Sequence, residues 1–160
     1  MPIEIEFADA RWKRVPGLAG GIVKAHALAL TKPNAAKRAA LLLVNDAEVK
    51  LLNRQWRGKN KPTNVLSFPA ADQKVPRGEP KPLGDLVLSY DTCAKEARAA
   101  AITLRDHAMH LVVHGLLHLV GFDHETDADA NKMEAREIRI LAKLGIANPY
   151  MLDERHERTQ

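Results

Sequence analysis

The chain has 160 residues, of which 24 are Lys or Arg and 20 are Asp or Glu, so its formal charge is +4. This length suits one ordinary domain, and 46% hydrophobic residues can form a core that needs no stabilising metal or disulfide. The composition excludes a collagen, a disordered chain and a mini-protein. Only 4% of the residues are aromatic, which argues against nucleic-acid binding on a stacking platform, so binding to a polyanion would depend mostly on charge.

The alternation of apolar and polar residues predicts strands in the first half of the chain and helices in the second half. The predicted strands are residues 3–7, 39–44, 64–68 and 83–89. The 39–44 run is short enough for a buried strand, although its periodicity alone also permits a helix. The predicted helices are residues 18–30, about 46 to Gly58, about 91–101, about 103–120 and 126–144.

Local signals support several of these helices. Asn45 or Asp46 can cap the second helix, whose apolar face comprises Val49, Leu52 and Trp56. Thr103 and Thr126 each precede an Asp by three residues, an acidic variant of the capping arrangement. The proline-rich stretch 70–82 indicates a surface loop. We therefore expect one α+β domain over residues 1–150, a small mixed β-sheet with about five helices, followed by a charged, frayed tail at 151–160.

Cysteine use and the N-terminal residues predict the compartment. The single cysteine, Cys93, cannot form an internal disulfide and is expected to be a small buried residue, which favours a reducing cytosol. The N-terminal segment carries Glu4, Glu6 and Asp9 where a secretion signal would be basic and then apolar. No apolar run approaches about 18 residues. We expect a cytoplasmic protein that does not enter membranes.

Three of the seven histidines have the spacing of a metal site. His114 and His118 are four residues apart, so on a helix both imidazoles face the same side. Gly121 can end that helix in a left-handed conformation and turn the chain, which brings His124 back over the site. Three imidazoles without a nearby cysteine are typical of a catalytic Zn²⁺ site with an open fourth position. We expect one Zn²⁺ per chain, in a zincin-like arrangement on a buried helix.

The other histidines are predicted to have different roles. His110 and His107 continue the same helical stripe, but one turn advances about 5.4 Å, which is too far to share the ion. We expect His110 to support the ligands or to lie in the core, and His107 to be exposed. His26 and His156 have no recognisable context and are expected to be at the surface or packed.

The spacing from His114 to His124 matches the HxxxHxxGxxH part of the metzincin protease motif. That motif also requires Glu directly after the first histidine as general base, and this chain has Gly115 there. A metallopeptidase or amidase that uses the same site therefore remains a weakened alternative.

Charge is divided between two segments. The basic residues between positions 50 and 64 could contact phosphates; they are Lys50, Arg54, Arg57, Lys59 and Lys61. An acidic segment follows the predicted ligands: Asp123, Glu125, Asp127, Asp129, Glu134 and Glu137. Its plain explanation is a capped helix start with a solvated face, while metal retention or docking of a basic protein are alternatives.

The segments HGLLHLVGFDH, RGKNKPTNVLSFP and LGDLVLS together resemble the bacterial YbeY family of endoribonucleases, in the family's order and over residues 41–145. Two positions depart from the family pattern: Phe122 stands where Tyr is commoner, and Asn64 where Asp is common. The resemblance implies a metal-dependent, single-strand-specific endoribonuclease that matures ribosomal RNA, notably the 3′ end of the small-subunit (16S) RNA, and takes part in ribosome quality control.

The resemblance also implies residue roles and partners. Its Zn²⁺ ligands fall on His114, His118 and His124, and its functional arginine falls on Arg57. Arg57 would stabilise negative charge at phosphorus while either an activated water or a neighbouring 2′-hydroxyl attacks. The implied partners are single-stranded RNA, the small ribosomal subunit with one of its proteins, and a ribosome-assembly GTPase. A zinc-stabilised assembly factor with little intrinsic cleavage is the second alternative.

Overall fold

A computed structural model describes residues 3–70 and 75–151. Its strands are β1 (Ile3–Phe7), β2 (Arg38–Val44), β3 (Val65–Pro69) and β4 (Pro82–Ser89). Its α-helices are α1 (Leu18–Ala29), α2 (Asp46–Arg57), α3 (Tyr90–Ala99), α4 (Leu104–Leu119) and α5 (Asp127–Lys143). Every predicted element is present within one or two residues of its expected bounds, and a short 3-10 helix at Ala10–Arg14 was not predicted. Part of the predicted 70–82 loop and all but the first residue of the tail lie outside the described residues.

The four strands form one mixed sheet in the order β1-β2-β4-β3. β1 and β4 both run parallel to β2, with Ile5 opposite Leu41 and Leu41 opposite Leu86. β3 is antiparallel to β4, with Leu66 opposite Val87. The predicted α+β class with a small mixed sheet is therefore confirmed. The order of the strands could not be predicted because it depends on contacts between distant segments.

Alternation along the strands divides the core between the two faces of the sheet. Leu41, Leu43, Leu86 and Leu88 point into the larger cluster, which α1 and α4 complete. The opposite face is smaller: Val44, Leu66 and Val87 pack against Val49 of α2. One face of the sheet is thus covered by several helices, and the other chiefly by α2.

Helix α4 lies at the centre of the larger cluster. Its buried side chains include Met109, Val112, Leu116 and Leu117, which no solvent reaches. Because α4 also contacts α1, α3, α5 and the sheet, its position is fixed from several sides. The histidine-bearing helix is therefore buried, as the sequence predicted, and is packed on several sides.

The predicted caps hold the helix ends in place. The Asn45 side-chain oxygen accepts from the Glu48 amide at 3.0 Å at the start of α2. Thr103 and Thr126 accept from the amides of Asp106 and Asp129, each at 3.1 Å. Such caps each contribute about 1 kcal/mol, so these boundaries are set locally by the sequence.

Two smaller predictions have opposite outcomes. Cys93 is fully buried, as predicted, and burial raises the pKa of its thiol well above the ordinary value. Trp56 was expected on the apolar face of α2, but its side chain is 71% exposed, whereas Val49 on the same face is fully buried. No helix in the described ranges 3–70 and 75–151 is long and apolar enough to cross a membrane.

Candidate metal centre

The three histidines of the predicted site converge at the C-terminal end of α4. His114 and His118 lie on its last two turns, and His124 lies in the loop that leads to α5. One ring nitrogen from each histidine falls within 4.8 Å of the others. The Nε2 atoms of His114 and His118 are 3.1 Å apart. A tetrahedral ion with bonds of about 2.0–2.1 Å places its nitrogen ligands roughly 3.3 Å apart, so this donor set fits a zinc-sized ion.

The turn that delivers His124 is fixed by backbone hydrogen bonds. The amide of Phe122 donates to the carbonyl of Leu117 at 3.0 Å, and the amide of Gly121 donates to the carbonyl of His118 at 3.1 Å. This pair of bonds defines a Schellman motif, which needs a left-handed residue after the helix. Gly121 supplies it with φ of +109°, as the sequence predicted.

A buried carboxylate from α5 supports His114. Glu137 is fully buried, and its Oε1 atom bonds to Nδ1 of His114. Its Oε2 atom contacts Nε2 of His110 at 3.1 Å and accepts from the hydroxyl of Tyr150. A carboxylate that accepts from Nδ1 keeps the lone pair of a histidine on Nε2, which here faces the other two imidazoles. Glu137 therefore orients His114 so that its free nitrogen faces the other two imidazoles, as a metal ligand would need.

The charge state of this network follows from its contacts. Burial by itself would raise the pKa of Glu137, but hydrogen bonds from His110, His114 and Tyr150 outweigh burial and lower the pKa to about 2. Burial also lowers the pKa of His118, and the neighbouring His114 and His124 lower it further. A neutral imidazole next to a charged carboxylate is the state in which histidine binds metals.

The prediction for Glu137 was wrong, since it was assigned to a solvated acidic face. A signal in the sequence could have found it: Glu137 follows Met133 by four residues and precedes Ile140 and Leu141 by three and four. These three apolar residues are buried and mark the core-facing stripe of α5. An acidic residue within an apolar stripe indicates a buried carboxylate that needs partners.

The remaining histidines divide as follows. His110 contacts Glu137 and packs edge-on against the His114 ring but is not one of the three clustered histidines, in agreement with its predicted supporting role. His107 was predicted to be exposed, which is wrong: its side chain is 14% exposed, and its Nε2 contacts Oε1 of Glu96 at 2.9 Å. The same carboxylate accepts from Nδ2 of Asn64 at 3.0 Å, a bond that Asp at position 64 could not donate. His26 is packed in the core, and His156 lies outside the described residues.

Arg57, the last residue of α2, lines the same cleft as the three histidines. The cleft has a volume of about 440 Å³, and its other lining residues are Val65, Ser67, Pro69, Asp123 and Glu125. The Nη2 atom of Arg57 donates to the carbonyl oxygen of Ser67 at 2.9 Å. The structure thus brings together all four predicted site residues, although 57 positions separate the arginine from the first histidine.

The loop after Arg57 is anchored to its helix. The buried Asn53 side-chain amide donates to the carbonyl oxygen of Lys61 at 2.9 Å, and the main-chain carbonyl of Asn53 accepts from the amide of Lys59 at 3.2 Å. Gly58 permits the sharp turn with φ of +69°. All five basic residues of this segment are exposed, as a phosphate-binding role requires. They are Lys50, Arg54, Arg57, Lys59 and Lys61.

Close packing between α4 and the sheet explains why position 115 is a glycine. A Cβ atom there would lie 2.6 Å from Cδ2 of Leu86 and 3.3 Å from Oγ of Ser67. The helix approaches the sheet so closely at this point that even a methyl group would displace the Leu86 side chain. A metzincin-type Glu after the first histidine would therefore be disfavoured by crowding.

Fold and site together define a single-domain α+β protein with a candidate three-histidine metal centre beside an arginine. A family model described as Endoribonuclease YbeY matches residues 9–145 of the chain. Endoribonuclease YbeY of Erythrobacter litoralis is 48% identical over 157 residues, covering 94% of this chain and 96% of the relative. Endoribonuclease YbeY of Ruegeria pomeroyi is 41% identical and covers 96% of this chain and 100% of the relative. The chain belongs to the YbeY endoribonuclease family.

A solved structure shares the fold. The solution structure of TM1509 from Thermotoga maritima superposes with a TM-score of 0.59, covering 88% of this chain and 90% of that one at 24% sequence identity. The predicted resemblance is thus confirmed, and the family match begins well before residue 41.

Proposed function

We propose that this chain, an rRNA-processing endoribonuclease by its family, cuts single-stranded RNA in the cleft lined by His114, His118, His124 and Arg57. The observation that carries the proposal is the convergence of three imidazole nitrogens in a cleft that also holds a guanidinium. Metal ions and guanidinium groups are the two kinds of group that stabilise negative charge at a phosphate during transfer.

One Zn²⁺ per chain is the metal that we propose, with His114, His118 and His124 as its ligands. Three neutral imidazoles leave a coordination position open, and the buried Glu137 behind His114 supplies the outer support that zinc sites usually have. When bound, the ion would supply Lewis-acid chemistry toward a phosphate oxygen or a water.

Arg57 is the proposed catalytic residue of the chain itself. Its hydrogen bond to the Ser67 carbonyl uses one of five N–H donors and fixes the guanidinium at the cleft. The other donors form a planar fork that suits two phosphate oxygens, so Arg57 would orient the scissile phosphate and neutralise its developing charge.

The finer assignments are proposals from family membership. We propose that the RNA is ribosomal, that the 3′ end of the small-subunit RNA is a principal target, and that the protein works in the cytoplasm. The proposed partners are the small ribosomal subunit, one of its proteins and a ribosome-assembly GTPase. The exposed cations around Arg57 support contact with a polyanion.

Two alternatives predict different outcomes. A metallopeptidase or amidase is disfavoured because the crowded Gly115 position holds no general base; activity on peptides with none on RNA would reverse this choice. A zinc-stabilised assembly factor would lose cellular function in His114→Ala, while purified metal-loaded wild type would never cut RNA.

Metal analysis followed by RNA cleavage tests the proposal, with Arg57→Ala and Arg98→Ala compared in parallel. Arg98 is exposed on α3 and does not line the cleft, so its variant controls for loss of a positive charge. We expect about one metal per chain in all three proteins. Removing a charge-stabilising donor costs about 10²–10³ in rate, so Arg57→Ala should cut at least about 100-fold more slowly, while Arg98→Ala stays close to wild type.

The outcome that contradicts the role of Arg57 is equal cutting by both variants. Loss of metal from Arg57→Ala would instead show a structural role. The termini of the RNA fragments then identify the attacking group, because a 2′,3′-cyclic phosphate arises only from attack by the neighbouring 2′-hydroxyl. Linear ends after short incubation would support attack by water.

A further inference from the structure

An exposed tryptophan lies beside the candidate active site. Trp56 is 71% exposed, which is rare because burial of so large an apolar surface would stabilise the fold. It forms one wall of a groove of about 410 Å³ between the last turns of α2 and the sheet. The other lining residues of this Trp56 groove are Leu42, Leu52, Phe68, Pro69, Asp85 and Val87.

The Trp56 groove adjoins the cleft of the metal centre. Pro69 lines both cavities. Phe68 lines the groove, and the Arg57 guanidinium lies 5.8 Å from the centre of its ring. Trp56 and Arg57 are consecutive on a helix, so their side chains diverge by about 100°, one toward the groove and the other toward the cleft. A strand whose phosphate contacts Arg57 therefore passes directly beside Trp56.

The groove has one polar group suited to a base edge. Asp85 stands opposite Phe68 in the β3–β4 register, and its exposed carboxylate lines the groove. Among residues 3–70 and 75–151, no hydrogen bond or ion pair engages this carboxylate. A carboxylate only accepts hydrogen bonds, and the exocyclic amino groups of cytosine, adenine and guanine donate them, whereas uracil has no such group.

We propose that the Trp56 groove binds one unstacked base of the RNA, next to the phosphate held at Arg57, with Trp56 stacking on the base and Asp85 favouring bases that carry an amino group. The inference rests on the proposed function and extends it to a base-binding subsite. Bases of single-stranded RNA are free to splay onto an aromatic side chain, while those of a duplex are not, so the subsite also accounts for single-strand specificity. The exposed Arg54 and Lys59 provide positive charge near the groove for the backbone of such a strand.

Cleavage kinetics of Trp56→Ala, Trp56→Phe and Leu51→Ala test the stacking. Base stacking contributes about 1–3 kcal/mol by alanine substitution, so Trp56→Ala should lower kcat/KM about 5- to 150-fold on single-stranded RNA. The loss should appear in KM with kcat nearly unchanged, because the base is bound equally before and during reaction. Trp56→Phe should retain most of the kcat/KM that Trp56→Ala loses. Leu51, 48% exposed on the same helix but outside the groove, is the matched control and should behave like wild type.

Tryptophan fluorescence gives a second readout that does not depend on cleavage. The chain has two tryptophans. The other, Trp12, is fully buried, and its indole Nε1 donates a hydrogen bond to the Val44 carbonyl. Quenching by short RNA in the first seconds of mixing, with the RNA verified as uncut on a gel, therefore reports on Trp56. Absence of quenching while the RNA is bound and cut would overturn the proposal.

Base preference tests Asp85. Wild type should bind oligo(C) and oligo(A) more tightly than oligo(U), and Asp85→Asn should narrow that difference at least several-fold. Glu79→Gln makes the same change of charge at an exposed site outside the groove, and it should leave the difference in affinity between these oligonucleotides unchanged. An unchanged preference in Asp85→Asn would overturn the role of this carboxylate.

The failure of this inference is distinguishable from failure of the proposed function. If wild type cuts RNA and Trp56→Ala cuts it with the same KM, the endoribonuclease stands and the subsite is wrong. If Trp56→Ala cuts naked RNA normally but no longer binds the small ribosomal subunit, the groove holds a protein and the base-binding proposal is likewise overturned. If metal-loaded wild type cuts no RNA, but Trp56 is still quenched by it, the subsite stands and the proposed catalysis fails.

Discussion

Replacing Glu137 with glutamine is expected to weaken Zn²⁺ binding about 10- to 100-fold without changing any ligand. The carboxylate accepts from His114 through one oxygen and contacts His110 and Tyr150 through the other. Glutamine has one acceptor oxygen and one amide group, which only donates. If the amide faces His114, it favours the tautomer that carries its proton on Nε2, where the metal must bind.

The magnitude follows from these bonds. A hydrogen bond to a charged group contributes about 1.5–3 kcal/mol, and a neutral one contributes about 0.5–1.5 kcal/mol. The bond to His114 alone would therefore lose about 1–1.5 kcal/mol, close to tenfold in affinity. The other two bonds to the same carboxylate raise the cost toward the upper end of the 10- to 100-fold range that is typical for such supporting residues.

The assay is competition for Zn²⁺ against a fluorescent chelator of known affinity, with the thermal midpoint of the metal-free protein recorded in parallel. Glu134→Gln is the matched control, since Glu134 lies one turn earlier on α5 and, within residues 3–70 and 75–151, no hydrogen bond or ion pair joins it to a histidine. A Glu137→Gln protein that folds and binds Zn²⁺ within about twofold of wild type would refute the orienting role.

Two further perturbations concern the core. Burial lowers the pKa of His26 below 6.5, so neutral His26 stabilises the fold above about pH 6.5, and this contribution is lost as the pH falls through the lowered value. His26→Gln should therefore flatten the decline of Tm between about pH 7 and pH 5, and a decline as steep as that of wild type would contradict this account. Gly115→Ala should lower Tm by about 2–8 °C, because overpacking against Leu86 costs more than the helix gains from alanine. Gly20→Ala on α1 has nothing within 4 Å and should raise Tm slightly; equal shifts in both variants would count against the packing explanation.

Local signals in the sequence predicted the elements of this fold well. Asn45, Thr103 and Thr126 act within three residues, so capping could be predicted and is observed. The strand order was out of reach because residues such as Ile5 and Leu41 pair across more than thirty positions. Trp56 shows the same limit: its spacing from Val49 and Leu52 is helical, but whether its side chain is buried depends on tertiary packing that the sequence pattern does not show.

In the candidate site too, residues within one local segment could be predicted from the sequence pattern, and residues from distant segments could not. The clustering of the candidate ligands could be predicted because His114, His118 and His124 lie within one helix end and its turn. Arg57 was placed only by family resemblance, since no local pattern relates it to the histidines. Glu137 was misassigned because negative charge usually indicates solvent, and its partners lie on a different helix.

The Schellman turn after α4 has a consequence for the cost of assembling the centre. Only Phe122 and Asp123 separate the left-handed Gly121 from His124, so the third imidazole is tethered to a rigid support by a very short arm. Its effective concentration at the other two imidazoles is high before any ion arrives, and little chain entropy remains to be lost on coordination. With the proposed ion, the centre would therefore act as a preorganised chelator built from eleven consecutive residues, with the buried Glu137 carboxylate and Arg57 contributed by other elements of the fold.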